Sequence, residues 1–193
     1  MSFSENLYFI ALIPRRELRG RITLIKQDFA NRFNSKYALR VYPHITLKAP
    51  FKLPTNAHDK LLNWFNNLQI QQNQFSIQLK NFGAFPNKKS PVLYIQPMVN
   101  LPILRLQNKI LLGFIENISD IVDKSDLEYK PHCTVAYKDL TPDMFTEAWS
   151  EYQHKTFDAC FEVDAVYLLQ HDSKKWNIIS THTLGQAVTN AGF

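Results

Sequence analysis

Glycine is scarce in this chain, with 5 in 193 residues, and cysteine scarcer still, with 2. No stretch rich in glycine or serine separates one part of the chain from another, so a single body is expected rather than domains on a flexible tether. Two cysteines, Cys133 and Cys160, supply neither a disulfide framework nor a metal-ligand spacing. No apolar stretch approaches membrane-spanning length, and no basic region followed by a signal-length apolar run opens the sequence. These absences predict a soluble, cytoplasmic protein with no membrane partner; a monomer is the expectation, though no absence in the sequence dictates it. Extreme charge is lacking too. The balance of 22 basic against 17 acidic residues leaves a formal charge of +5, which mildly favours anionic partners and says nothing about fold. The densest basic cluster, Arg15, Arg16, Arg19 and Arg21 with Glu17 among them, reads as a solvated helix face. At 45% hydrophobic, the chain has enough apolar surface for a sizeable core.

What is present is a pair of short matching stretches, Pro43-His44-Ile45-Thr46-Leu47 and Pro131-His132-Cys133-Thr134-Val135. Each reads Pro, His, apolar, Thr, apolar. Side chains alternate along a strand, so His44 and Thr46 share one face while Ile45 and Leu47 take the other. The same alternation sets His132 and Thr134 together over Cys133 and Val135. Proline suits the first position, where no ladder N–H is needed. The His and Thr content predicts roughly 0.3 His-x-Thr pairs by chance, whereas three occur. The third, His154-Lys155-Thr156, lacks the proline and the apolar middle residue. It follows the expected end of a helix and reads as a loop or the start of a strand.

The surrounding elements repeat with the motifs. Residues 6–13 form an apolar run of strand length, buried on both faces. A helix follows Pro14, with Leu18, Ile22, Ile25, Phe29 and Phe33 on one face. The first motif strand, 43–49, is closed by Pro50 and Pro54. A helix over 57–68 and a strand from Phe75 towards Phe85 complete the first pass, and 86–91 is a turn. Val92–Gln96 then reads as strand, Pro102 opens a helix carrying Leu104, Leu111, Ile115 and Ile118, and a polar connection over 119–130 leads to the second motif strand, 131–137. Thr141-Pro142 reads as a cap with proline in the first turn of a helix. Phe161 to Leu169 reads as strand, a turn follows at 171–175, and a last strand runs from Trp176 to His182. The residues after Gly185 are expected to fray. Strand, helix, motif strand, helix, strand is thus performed twice, over roughly 5–85 and 92–182. An α+β fold follows, in two pseudo-symmetric lobes. Each lobe is an antiparallel sheet with helices outside, and a cleft between them brings the motifs together.

Two imidazoles near their ordinary pKa can hold complementary protonation states at neutral pH. A phosphodiester needs that division, one ring taking a proton from the attacking oxygen and the other giving one to the leaving oxygen. The Thr46 and Thr134 hydroxyls can donate to the phosphoryl oxygens as charge grows there. Neither motif contains an acidic ligand, so no metal and no cofactor is expected. Lys48 and Lys138 continue the His/Thr face as candidates for a phosphate. Phe51, Phe85 and Tyr137 are candidates to stack on a base.

At these residues the chain resembles the two-histidine (2H) phosphoesterase superfamily, whose hallmark is two His-x-Thr/Ser-apolar motifs. It is most similar to the 2′-5′ RNA ligase-like proteins and cyclic phosphodiesterases. The resemblance covers essentially the whole chain, 1–193, as one two-lobed domain. It implies hydrolysis of a 2′,3′-cyclic phosphate at an RNA terminus or on a small nucleotide, commonly leaving a 2′-phosphate. It further implies His132 as the group that activates water and His44 as the one that protonates the departing oxygen. Lys48-Ala49-Pro50-Phe51 stands where many ligase-like members carry Arg-Phe-Leu-Gly. The alternatives are a non-catalytic nucleotide- or RNA-binding module on the same fold, and a phosphoesterase for a non-nucleotide cyclic phosphate.

Overall fold

The computed structural model describes residues 4–185. In chain order they form β1 (Glu5–Leu12), α1 (Arg16–Arg32), β2 (Ile45–Pro54), α2 (His58–Asn66), β3 (Phe75–Phe85), β4 (Val92–Pro97), α3 (Leu101–Asn117), α4 (Lys124–Leu127), β5 (Cys133–Ala136), α5 (Pro142–Tyr152), β6 (Asp158–Val163), β7 (Ala165–His171) and β8 (Trp176–Thr183). The tail expected to fray lies outside the described residues.

The strands form two four-stranded antiparallel sheets, ordered β2-β1-β7-β8 and β5-β4-β3-β6. The two orders correspond position by position: each motif strand lies at an edge, beside the strand that opens its own pass through the chain. The lobes are nevertheless not the two successive halves of the sequence. β3 lies between β4 and β6, and β7 and β8 complete the sheet of β1 and β2. The short turn after Phe85 makes β3 and β4 a hairpin, and local pairing across the boundary between the halves exchanges the strands. The helices cross over in the same way: α1 packs on β5 and α3 on β2.

β1 is buried on both faces, as its unbroken apolar run requires. Tyr8, Ile10 and Leu12 enter the main core, which spans both sheets, while Phe9, Ala11 and Ile13 form a smaller cluster with Val41 and Leu169. α5 begins as expected, with the Thr141 hydroxyl accepting from the Met144 N–H. β2 does not close at Pro50 but runs on to Pro54. It is an edge strand, where proline's missing donor faces no neighbour, and its register against β1 shifts twice along this stretch.

α3 turns inward a face that matches the predicted one only in part: Leu111 is buried and Ile118 packs against the core as expected. Ile103, Leu106, Ile110 and Phe114 are buried, whereas Leu104 and Ile115 are 39% and 37% exposed. The helix is apolar nearly all round, so periodicity does not choose its inner side. The polar connection at 119–130 contains α4, a single turn closed by a reciprocal cap between Asp123 and Asp126.

Candidate active site

His44 and His132 stand immediately before β2 and β5, where the buried pairs Ile45/Leu47 and Cys133/Val135 fix the strands from behind. The two rings are held alike. His44 Nδ1 donates to the Tyr42 carbonyl at 2.7 Å, and His132 Nδ1 donates to the Lys130 carbonyl at 2.7 Å. A carbonyl only accepts, so each neutral ring carries its proton on Nδ1 and keeps Nε2 as the acceptor. His44 lies on Phe9 at 4.9 Å, and Phe9 is braced edge-on by Trp176 at 4.5 Å. His132 sits against Phe85 at 5.1 Å and Tyr94 at 5.6 Å. Gly83 makes that second support possible. It pairs with Tyr94 across the sheet, and a Cβ there would stand 2.5 Å from the tyrosine ring.

His44, Thr46, His132 and Thr134 all line one cavity of about 310 Å³. Two lysines share its wall. Lys26, 1% exposed, donates to the Ala38 and Val41 carbonyls at 3.1 Å each. Lys138, at the exposed mouth, has a left-handed backbone (φ 62) and donates to the Tyr37 hydroxyl at 3.0 Å. Asp139 ties this rim together, accepting from the Ser35 hydroxyl and from the backbone N–H groups of Lys36 and Tyr37.

The electrostatics break the symmetry of the pair. Burial, the Lys26 ammonium and His132 together push His44 down to about 3, against the opposing pull of the Tyr42 carbonyl. His132 is lowered by burial, opposed by the Lys130 carbonyl, with no lysine pressing on it. Lys26 itself falls to about 8 through burial. Both imidazoles are therefore neutral at pH 7, and an anion between them would favour protonation.

The other candidates divide. Tyr137 and Lys138 line the cavity, Tyr137 half-buried with its ring edge-on to Tyr37 at 5.3 Å. Phe85 lies against His132. Lys48 is corrected: its Nζ is 2.8 Å from Asp126 Oδ2, with side-chain exposures of 1% and 2%, and it lies over the Phe114 ring at 4.9 Å. The register shift between Ala11–Thr46 and Ile10–Lys48 breaks the alternation that was to keep Lys48 on the His/Thr face. Phe51 is corrected too, being 3% exposed in the core against Tyr8 and Phe114. His154 follows the end of α5 and is not part of the cavity. Sequence reasoning missed Lys26 and His171, both on the cavity wall. Lys26 falls in the apolar stripe of α1, one residue after Ile25, and an ionisable residue in such a stripe was the available signal. His171, on Trp176 at 5.0 Å, carried none.

A second cavity, of about 540 Å³, shares Thr46, Pro50 and His132 with the first and is walled by Phe85, Tyr129 and α4. The Tyr129 hydroxyl is buried there without a hydrogen-bond partner, alone in this among the described residues. Among those residues no three His, Cys, Asp or Glu side chains gather as metal ligands.

Two antiparallel sheets that set two His-x-Thr strands on one cavity define an α+β, two-histidine architecture. A profile of the 2′-5′ RNA ligase superfamily matches residues 14–175, and the chain belongs to that superfamily, among the two-histidine phosphoesterases. A protein of Geobacillus kaustophilus, named as a candidate phosphoesterase, is 29% identical over 185 residues, covering 92% of this chain and 96% of its own. A second so named, from Bacillus cytotoxicus, is 27% identical over 165 residues, covering 83% and 91%. Among solved structures, E. coli LigT complexed with 3′-AMP superposes with a TM-score of 0.67 at 15% identity, covering 95% of this chain and 100% of LigT. A Thermus thermophilus protein gives 0.62 at 16%, covering 93% and 98%.

Proposed function

We propose that the protein hydrolyses a cyclic phosphodiester, a 2′,3′-cyclic phosphate on a nucleotide or RNA end, using the two histidines as base and acid with no metal or cofactor. The observation that carries this is the shared cavity of His44, Thr46, His132 and Thr134, with each imidazole held at Nδ1 by a carbonyl two residues upstream. One Nε2 takes a proton from water as its oxygen bonds to phosphorus. The bond from phosphorus to one ribose oxygen breaks, and the other Nε2–H protonates that oxygen, giving a phosphomonoester and a free hydroxyl. The threonine hydroxyls and Lys138 face the phosphoryl oxygens as their charge rises. The adjoining cavity holds the nucleoside, with Phe85 beside the base and the Tyr129 hydroxyl as a polar contact. LigT with 3′-AMP is consistent with a nucleotide ligand.

The asymmetry around Lys26 favours His44 as the base and His132 as the acid, the reverse of the direction implied by the resemblance. An imidazole beside a buried ammonium resists protonation, and a general acid must start protonated. A nitrophenyl phosphodiester tests this, because its leaving group hardly needs a proton. His132→Ala is expected to recover most of its lost turnover on that substrate, while His44→Ala stays slow. Rescue of His44→Ala instead reverses the roles, and rescue of neither removes the acid–base division.

A further inference from the structure

The two imidazoles rest on their sheets unequally. His132 meets two rings directly, Phe85 and Tyr94, whereas Phe9 is the one aromatic ring against His44 among the described residues. Phe9 does not belong to the main core. It sits in the smaller cluster with Ala11, Ile13, Val41 and Leu169, against which Trp176 packs. The Trp176 ring stands edge-on to Phe9 at 4.5 Å, and His171 meets Trp176 in turn at 5.0 Å. His171 and Trp176 face each other across the turn that joins β7 to β8. A continuous row of four rings therefore runs from that turn to His44.

His171 is itself tied down. Its Nδ1 accepts from the Ser173 N–H at 3.2 Å, and Ser173 presents that donor from a left-handed backbone (φ 76). Such a conformation is costly for any residue but glycine and persists only where its surroundings hold it. Asp172 supplies the hold, accepting from the Lys174 N–H at 2.9 Å, the Lys175 N–H at 2.8 Å and the Asn177 amide at 2.7 Å. A backbone N–H only donates, so neutral His171 carries its proton on Nε2, the tautomer opposite to that of His44 and His132. Its acceptor nitrogen is occupied by Ser173, so this third imidazole on the cavity wall is no rival base.

We propose that the β7–β8 turn is a positioning device for His44, in which His171 seats Trp176, Trp176 seats Phe9, and Phe9 fixes the plane of the imidazole. The proposal rests on the two-histidine phosphodiesterase reading and deepens it, naming residues remote from both motifs in sequence that aim one of the two rings. The Tyr42 carbonyl holds His44 at Nδ1, and a ring held at one atom still tilts about that bond. The Phe9 ring is the second point of contact that removes the tilt and keeps Nε2 directed at the reacting phosphate, where small misplacements are costly in rate. Edge-to-face contacts suit this task, because they prefer a defined angle between the rings.

The test uses the full chain with isotopically labelled histidine, read by NMR, the two motif rings being assigned by the signals lost in His44→Ala and in His132→Ala. Trp176→Leu keeps apolar volume and removes the ring edge. It is expected to shift the His44 ring signals and leave those of His132 in place. On a 2′,3′-cyclic nucleotide its kcat should fall about tenfold with KM kept within about twofold. Trp176→Phe returns a ring edge and should restore most of that kcat. His171→Ala should move the same His44 signals, with a fall in kcat of about threefold. Unmoved His44 signals in Trp176→Leu overturn the proposal, as does an equal displacement of both histidines, which would mean a general loosening. A raised KM with kcat kept also overturns it, making Trp176, which lines the cavity, a contact of the substrate. Should Trp176→Leu fail to fold by far-ultraviolet circular dichroism, His171→Ala decides by the same signals. The two readings stay apart: His44 signals that move alone, in a chain that turns over no cyclic nucleotide, uphold the device and remove the phosphodiesterase. Turnover by the wild type that is undiminished in Trp176→Leu does the reverse.

Discussion

His44 and His132 are both neutral at pH 7, because burial opposes the charged ring. Catalysis by the pair needs one proton between them, and that state is most populated between the pair's two apparent pKa values. Both lie below the ordinary 6.5, so kcat/KM, which reports the free enzyme, should peak on the acid side of 6.5. The phosphate of a bound substrate favours the imidazolium, so the kcat optimum should lie closer to neutral. Initial rates across pH 4–9 check both, and coincident optima above pH 7 contradict the electrostatic account. The same shift links to stability. Neutral His44 contributes fully above about 6.5, and that contribution is lost as pH falls towards about 3, so acid should destabilise the free protein and phosphate should offset the loss. Gly83 sets a second prediction at this scale. Gly83→Ala drives a Cβ into the Tyr94 ring, which must move and take its support from His132. Turnover should fall about tenfold with the fold kept, read by kcat against far-ultraviolet circular dichroism. An unchanged kcat would show that Tyr94 does not position the ring.

Among the elements, β2 and α4 are joined by one buried ion pair. Asp126 accepts from Lys48 Nζ, the Ala49 N–H at 2.7 Å and the Asp123 N–H at 2.9 Å, so a single carboxylate pins α4 to the edge strand. Lys48→Met leaves that charge buried without its counter-ion and should cost about 3–5 kcal/mol, measured by urea unfolding. Lys48→Met/Asp126→Asn should recover much of the loss, and additive losses would contradict the pairing. This pair also shows where sequence ran out. The motif strands, the α5 cap and the double-sided β1 were legible because proline, threonine and strand alternation act locally. Lys48 was not, because one register shift moves a side chain to the other face and no neighbour in sequence announces it. α3, apolar on most sides, hid part of its inner face for a different reason: Phe114 packs on Phe51 of β2, while Ile115 beside it in sequence stays partly exposed.

For the whole molecule, the decisive feature is the exchange of strands between the halves. Element order made the repeat and the α+β class readable, but it does not say which strands pair, and the β3–β4 hairpin ties one half into the sheet of the other. Neither half then holds a complete sheet. A fragment of residues 4–85 lacks β7 beside β1 and both neighbours of β3. It is expected to give no cooperative unfolding transition, whereas the full chain should melt in one step by near- and far-ultraviolet circular dichroism alike. A cooperative fragment would mean that the lobes are independent. The exchange also bears on function, since it interlocks the two sheets at whose edges His44 and His132 line one cavity. The central claim is that this pair alone performs the chemistry, and phosphorus NMR of a 2′,3′-cyclic nucleotide with the protein in EDTA measures it directly. The account predicts ring opening to a monoester at a rate indifferent to the chelator, reduced by about 10²–10⁴-fold in His44→Ala and in His132→Ala. No monoester from the wild-type protein, a rate undiminished in either variant, or activity lost in EDTA and restored by a divalent ion would contradict it.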